Sequence, residues 1–491
     1  DDLISQNTSD RVNRFYYVKT GIKFDFGKDR LLLNYDVNGN NNNSYVNAFG
    51  AGFASDDKTT SKRIYQDAMA TYQKRFEDTS KKFDIRLNYN NNTGDVAQLS
   101  RITSADILDN DTRQDFYQFK TDYTQGISLL EKGKISAGIL ADRLDFEAKN
   151  FGARNLKYDR STYSAYAEGQ ASYKKFDFIA GARLESYDIH GVTDQSNLIP
   201  FSQVRFFPNA AVQYNIMEQV YLKANYSKKI SLPNTASLNP NNTSYQNPNV
   251  AFFGNPNLQP TIFNNYEVNL SAFEYFNINY SISDADNAII NRIVMTDSGA
   301  ASISQNIKSS TLHNFNIGIP LPYMLFTKGL AETLKMNFNP DEINFMYLYA
   351  GSQKNVIPGV DTKAVWNFNI MSQIILPAKV KFTANFNTST AGGNYYFYSV
   401  QHPLSQQLDV TFAKKFLSGN LSASIYANDI LNTNKQELGA VGTNLSYYSK
   451  YDSRRVGLSL NYKIPTKNKE AREADILSRE KQQQQDQMIG N

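Results

Sequence analysis

Three histidines, His190, His313 and His402, are the side chains best suited to exchange protons or hold a transition metal near neutral pH. They sit in separate segments without His-x-x-x-His spacing or a Glu-bearing helix beside them, so neither a zinc site nor a nucleophilic triad is expected. Asp106, Asp109 and Asp111 carry the oxygen chemistry of a Ca²⁺ loop, although solvated loop carboxylates are the commoner meaning of such a run. The chain has no Cys, which removes thiol catalysis, disulfides, Cys-ligated zinc and iron–sulfur clusters together. No Gly-rich phosphate loop opens a helix, and no pair among the 47 acidic residues can be singled out as a glycosidase dyad. No catalytic residue, metal or cofactor is assigned, and the chain is not read as an enzyme.

Binding chemistry remains. Arg86, Arg183, Glu185 and Lys223 fall on the polar side of alternating segments, where they can hydrogen-bond a plug or line an enclosed solute path. Tyr245, Phe252, Phe253 and Asn255 lie in one long polar connection, and Tyr395, Tyr396, Phe397 and Tyr398 in another. Rings at such positions can stack on a sugar or peptide, or pack within the rim.

The elements that must position these residues are strands. Phe83, Ile85, Leu87 and Tyr89 interleave with Asp84, Arg86 and Asn88; Phe276, Ile278, Tyr280 and Ile282 interleave with Asn277, Asn279, Ser281 and Ser283. The same period of two recurs from Tyr16, from Val220, from Val380 and from Val456 to Ile464. A helix would scatter each apolar set around its cylinder, because its side chains repeat every 3.6 residues. About 19 strands are counted by this rule.

Composition agrees. Among 491 residues, 41% are hydrophobic and 20% charged, while Tyr and Phe number 32 and 31, an aromatic excess typical of β-structure. The 51 basic and 47 acidic residues are interspersed, so no basic field exists for a nucleic acid. Mean hydropathy is −0.51 and no apolar run approaches a helical span, but a barrel shows lipid only alternate residues, so this does not argue against a membrane.

Short and long connections alternate. Tight turns are read at Gly27-Lys28-Asp29, Tyr173-Lys174-Lys175, residues 215–218, Leu376-Pro377-Ala378 and Leu417-Ser418-Gly419, and long polar loops at 38–61, 89–113, 231–260 and 388–405. Short turns on one rim and long loops on the other describe an outer-membrane barrel, and no Pro/Ser-rich seam divides residues 1–464 as separate soluble sandwiches would require. The expected fold is therefore an all-β, transmembrane antiparallel barrel. An odd count implies earlier strands upstream, about three more giving an even 22. Residues 465–491, with balanced charges and a Gln run, read as a periplasmic tail, helical or disordered.

Residues 226–267 are the most specific stretch: Tyr226-Ser-Lys-Lys-Ile230, Leu232-Pro233, Leu238-Asn239-Pro240, Gly254-Asn255-Pro256-Asn257-Leu258-Gln259-Pro260 and Tyr266-Glu267. Together with Tyr426-Ala-Asn-Asp429-Ile430-Leu431-Asn432 and the closing strand 455–464, they resemble the TonB-dependent receptor barrels of Bacteroidetes, particularly the outer membrane protein β-barrel family. Independently, Gly254 is expected to supply a positive φ, with Asn255 extended before Pro256, giving a rigid rim loop.

The resemblance implies a bacterial outer-membrane location and uptake of a bulky nutrient, such as a siderophore, peptide or glycan fragment. Implied partners are outer-membrane lipid, a plug domain or partner protein closing the lumen, TonB and a surface lipoprotein. Neither a plug nor a TonB box is visible in this sequence. The rival expectation is a non-transporting barrel subunit of a larger secretion or assembly complex.

Overall fold

The computed structural model describes residues 5–464, apart from 51, 52, 103, 105, 129, 242–249, 274, 297, 298, 335–338, 340, 341 and 443. The tail at 465–491 lies outside the described residues. Nineteen strands run antiparallel in a large sheet, in agreement with the count made from periodicity.

Two compact units are formed. The first comprises Asp1–Val212, Tyr226–Asn264 and Asp286–Lys308, and the second Gln213–Asn225, Asn265–Ala285 and Ser309–Asn491. Eight long strands belong wholly to the first: β1 (Ser5–Phe26), β2 (Asp29–Gly50), β3 (Phe53–Arg75), β4 (Lys81–Ser100), β5 (Asp106–Ile127), β6 (Lys132–Asn150), β7 (Ala153–Tyr173) and β8 (Phe176–Thr193). Then come β9 (Phe201–Met217), β10 (Val220–Ser231), α1 (Thr235–Leu238), β11 (Val250–Phe253), β12 (Thr261–Ala272), β13 (Phe276–Thr296) and β14 (Gly299–Pro322). The short β11 lies parallel to β14.

The second unit holds shorter sheet strands: β15 (Phe345–Val356), β16 (Val365–Leu376), β17 (Val380–Ser389), then β20 (Gln407–Phe416), β21 (Leu421–Asn428) and β24 (Arg455–Tyr462). Between them, β18 (Asn394–Tyr395), β19 (Tyr398–Val400), β22 (Lys435–Ala440) and β23 (Ser446–Lys450) form a separate four-stranded sheet from loop segments.

The turns fall at or within a residue or so of where the sequence placed them; the one read at 215–218 is shifted, because residues 215–217 belong to β9. Gly27 takes φ 64° and Lys174 φ 53°, and the turn after β9 falls at Glu218 and Gln219. Asp29, beside the first turn, accepts from Lys74 Nζ and Tyr72 Oη at 2.8 Å each and from the Arg75 N–H at 3.0 Å. These donors, Lys74 foremost, hold its carboxyl down at about 2.

Two of the expected loops are strand instead. Residues 38–50 and 53–61 continue the β2–β3 ladder, from Asn38 opposite Tyr65 to Gly50 opposite Phe53. Likewise most of 89–113 continues β4 and β5, with one register shift at Gln98/Leu99. An Asn- and Ser-rich segment shuns lipid, but its backbone N–H and C=O groups complete a ladder regardless of side chain.

These extensions carry an inversion of polarity. On one face of β5 to β8, Tyr117, Phe119, Ile135, Ile139, Tyr163, Phe176, Phe178 and Leu184 are exposed. Further along the same face stand Arg113 and Asp115, Arg143 and Asp145, Asp159, and Asp188 and His190. The opposite face runs the other way: Lys120, Asp142, Arg183 and Glu185 give way to buried Phe116, Leu144, Phe146, Leu156, Tyr158, Tyr187 and Ile189. A bilayer-spanning strand needs only about 9–11 residues, whereas β1 to β8 have 18–23. The surplus stands in water, where the apolar face must turn inward.

Candidate functional site

The apolar patch on β5 to β8 receives the Gly-Asn-Pro connection. Ile230, Leu238 and Leu258 join Leu198, Phe201 and Phe207 in one buried cluster with it, and Leu238 is only 1% exposed. Asn234 starts α1 by accepting the Ser237 N–H at 2.7 Å, and Thr235 Oγ1 donates to Gln114 Oε1 on β5 at 3.0 Å. The later limb then closes on the earlier one: the Gly254 N–H donates to Asn239 O at 2.9 Å, and the Asn255 N–H to Ser237 O at 2.7 Å.

This corrects the reason for Gly254. Its φ is not positive. An added Cβ would instead meet Asn239 O at 2.4 Å and Ser237 O at 2.5 Å, so only glycine permits the two limbs to touch. Asn255 is also structural, since its Oδ1 accepts the Asn257 N–H at 2.9 Å. The exit is fixed as firmly: Asn306 Oδ1 accepts the Gln259 N–H at 2.8 Å, while Asn306 Nδ2 donates to Gln259 O and Asn287 O at 2.9 Å each.

Of the other rim candidates, Tyr245 lies outside the described residues, and Phe252 belongs to β11 by its backbone. Phe253 is exposed. Tyr395 pairs with Tyr398 in the separate small sheet, where Phe397 is buried and the three tyrosines are half-buried. Burial pushes the Tyr396 hydroxyl up to about 12.

Below the apolar cluster lies a charged layer. Arg183 pairs with Glu185 and sets its guanidinium 5.5 Å from the Phe207 ring centre, while Arg160 reaches Asp142 at 3.4 Å. Arg86 is half-buried on the face of β4 that also carries the buried Asn90, and Lys223 is half-buried on β10. No ion pair joins Arg86 or Lys223 to another described residue.

The histidines remain apart. His190 contacts Asp188 at 2.7 Å, His313 contacts Tyr280 Oη at 2.9 Å, and His402 Nδ1 lies 3.1 Å from Pro403 O. Asp106, Asp109 and Asp111 stand on β5 rather than in a loop, and no cluster of three metal-ligating side chains occurs among the described residues.

The Asn-Asp element near the end is a clamp. Asp429 is 1% exposed and takes φ 43°. Its carboxylate accepts Ser453 Oγ at 2.5 Å, the Thr433 N–H at 3.0 Å and the Asn434 N–H at 3.3 Å. Burial acts to raise its pKa, but these donors outweigh it and hold the carboxyl below the usual range. Periodicity gave no sign of this role, because the donors arrive from two loops.

A sheet with an aromatic and aliphatic band on one face and buried polar groups on the other is the wall of a transmembrane β-barrel. The sequence matches the model of the outer membrane protein beta-barrel family over residues 74–462. The chain belongs to that family, as the Gly-Asn-Pro resemblance led one to expect, and its place is the bacterial outer membrane.

Similar solved structures include the copper transporter OprC, at 9% identity and TM-score 0.59, covering 94% of this chain and 80% of that one. The ferric-catecholate import receptor Fiu of E. coli K12 matches at 11% identity and TM-score 0.55, covering 94% and 81%. The Serratia marcescens hemophore receptor HasR, solved with its hemophore HasA and heme, matches at 14% and 0.53, covering 88% and 71%. At such identities the likeness is one of fold. No curated protein matches the sequence.

Proposed function

We propose that this receptor-like barrel takes up a bulky nutrient across the outer membrane, driven through TonB in the manner of TonB-dependent receptors. The observation carrying this reading is that the described parts of the Gly-Asn-Pro connection, through Leu232, Leu238 and Leu258, fold onto the apolar patch of the face opposite the lipid band. A loop held there narrows the interior on the side from which a ligand arrives. Arg86, Arg183, Glu185 and Lys223 are assigned to the lumen, where they hydrate it or hold a plug. Siderophores, peptides and glycan fragments are the ligand classes. The import and receptor names of Fiu and HasR support such a role.

A second reading has one observation in its favour. The described side chains of β1 from Gln6 to Phe26 are exposed on both faces. A strand so bare within a bilayer calls for a neighbour, because unpaired backbone groups in lipid each cost about 2–7 kcal/mol. We assign residues 1–464 to a barrel completed by about three further strands, with a plug belonging to the same polypeptide and 465–491 as a periplasmic tail. If a separate protein covers β1 instead, the barrel is a subunit of a secretion or assembly complex.

The test is accumulation of labelled ferric siderophores, peptides and glycan fragments by cells with and without the gene. Gene-dependent accumulation of at least one, abolished by an uncoupler, supports uptake. Equal accumulation of all three, with loss of a co-purifying outer-membrane complex in the deletion strain, supports the subunit reading and sinks the first.

A further inference from the structure

A cavity of about 350 Å³ opens beside the docked loop, where the first residues of β9, the end of β10, the start of β12 and the bend in β13 meet. Phe201, Pro260 and Ile262 give it an apolar side, and Arg205, Lys228 and Asp286 give it charge. Arg205 donates to the amide oxygen of Gln203, and among the described residues none of the three charged groups has an ion-pair partner. Two cations and one carboxylate thus line one small space with no ion pair among them, leaving one net positive charge, so the cavity gains when a single anion enters.

The walls are built to hold this shape. Asn287 takes φ 60°, a conformation kept by bonds from Thr261 Oγ1 to its carbonyl at 3.0 Å and from its own Nδ2 to Pro260 O at 3.2 Å. Gln259 Nε2 is tied to Ile199 O at 3.3 Å. Asparagine enters the left-handed region more readily than most residues, and these bonds hold it there.

We propose that this cavity binds an amphiphilic monocarboxylate, such as the free C-terminus of a short apolar peptide, as the anchoring subsite for one end of the nutrient. The carboxylate sits between Arg205 and Lys228, and the apolar part lies on Phe201, Pro260 and Ile262. A guanidinium fork donates two parallel hydrogen bonds to a carboxylate. Asp286 decides against a dianion: the three charges sum to +1, which a single negative charge neutralises, whereas a phosphate dianion would overshoot and meet the aspartate. The inference narrows the receptor reading and rests on it for its place in uptake, but the binding can be measured without transport.

The test is calorimetric titration of the full chain in detergent micelles with acetyl-dileucine, with its C-terminal amide, and with inorganic phosphate. The acid is expected to bind, and the amide about tenfold or more weakly. Arg205→Gln and Lys228→Gln should each weaken the acid by about tenfold, whereas Asp286→Asn should tighten it. That opposite sign is not what general damage to the fold produces. Equal binding of acid and amide, tighter binding of phosphate than of the acid, or weakening by Asp286→Asn overturns the proposal. Charge-dependent binding without cellular uptake would sink the transport reading alone, and uptake without charge-dependent binding would sink this inference alone.

Discussion

The strands wholly within the first unit and the sheet strands wholly within the second reach the aqueous rim by different means. In the first, β1 to β8 run 18–23 residues and carry their ladders past the bilayer, and β5 to β8 exchange the polarity of their faces on the way. In the second, β15, β16, β17, β20, β21 and β24 stop at 8–12 residues, and the rim is made from separate loop strands. Length explains the contrast. A strand that ends with the lipid needs only one pattern of faces, whereas one that continues must bury its apolar side against something once water replaces acyl chains. In the first unit that something includes Leu238 and Leu258 of the Gly-Asn-Pro connection.

The largest effect should come from removing that cover. Leu238→Ala empties a fully enclosed site and should cost the docked loop about 2–5 kcal/mol. Limited proteolysis within 232–260 should rise sharply while the heat-modifiable barrel band persists; an unchanged digestion pattern would mean that the cluster does not hold the loop. Next, arginine placed along one face of β6 should distinguish lipid from water. Ile139→Arg should cost about 2–4 kcal/mol in a bilayer unfolding titration, as should Leu458→Arg on β24. Glu147→Arg on the same face of β6, which loses its pair with Lys149 at 3.7 Å and meets Arg113 opposite, should cost no more than about 1 kcal/mol, and Ser459→Arg on the other face of β24 should also be mild. Equal losses at Ile139 and Glu147 would abolish the inversion.

The second unit can be tested through its clamp. Asp429→Asn should destabilise by about 1–3 kcal/mol at neutral pH. Because the folded carboxyl lies below its ordinary pKa, its ionised form contributes stability above that ordinary value and loses it as pH falls through the folded one. Wild type and variant should therefore converge in acid, and a gap that widens there would reject the assignment. The smallest effect belongs to the outward pair Arg143–Asp145, half exposed at 2.9 Å. Arg143→Ala should change stability by about 0–1 kcal/mol, less at high salt.

Legibility followed range. Alternation from Phe83 to Tyr89, or from Val456 to Ile464, disclosed strands and faces because adjacent residues suffice to define them. Polar runs such as Asn40 to Asn43 were read as loop, since composition reports the solvent a side chain meets, not the ladder its backbone joins. Gly254 was correctly singled out but for the wrong cause: its neighbour Ser237 arrives from a distant part of the same connection. The pairing of Arg183 with Glu185 was within reach of a same-face rule. The convergence of Arg205, Lys228 and Asp286 was not, because it joins three strands.

From sequence alone came the strand period, the number of strands, the membrane setting and the family signature, all properties that repeat along the chain or lie within a few residues. Tertiary structure alone decided that the Gly-Asn-Pro connection lies on an apolar patch, that the long strands exchange their faces above the lipid, and that two unpaired cations share a cavity. Those outcomes depend on which distant segments fill a given space, and packing, unlike periodicity, leaves no local record in the order of residues.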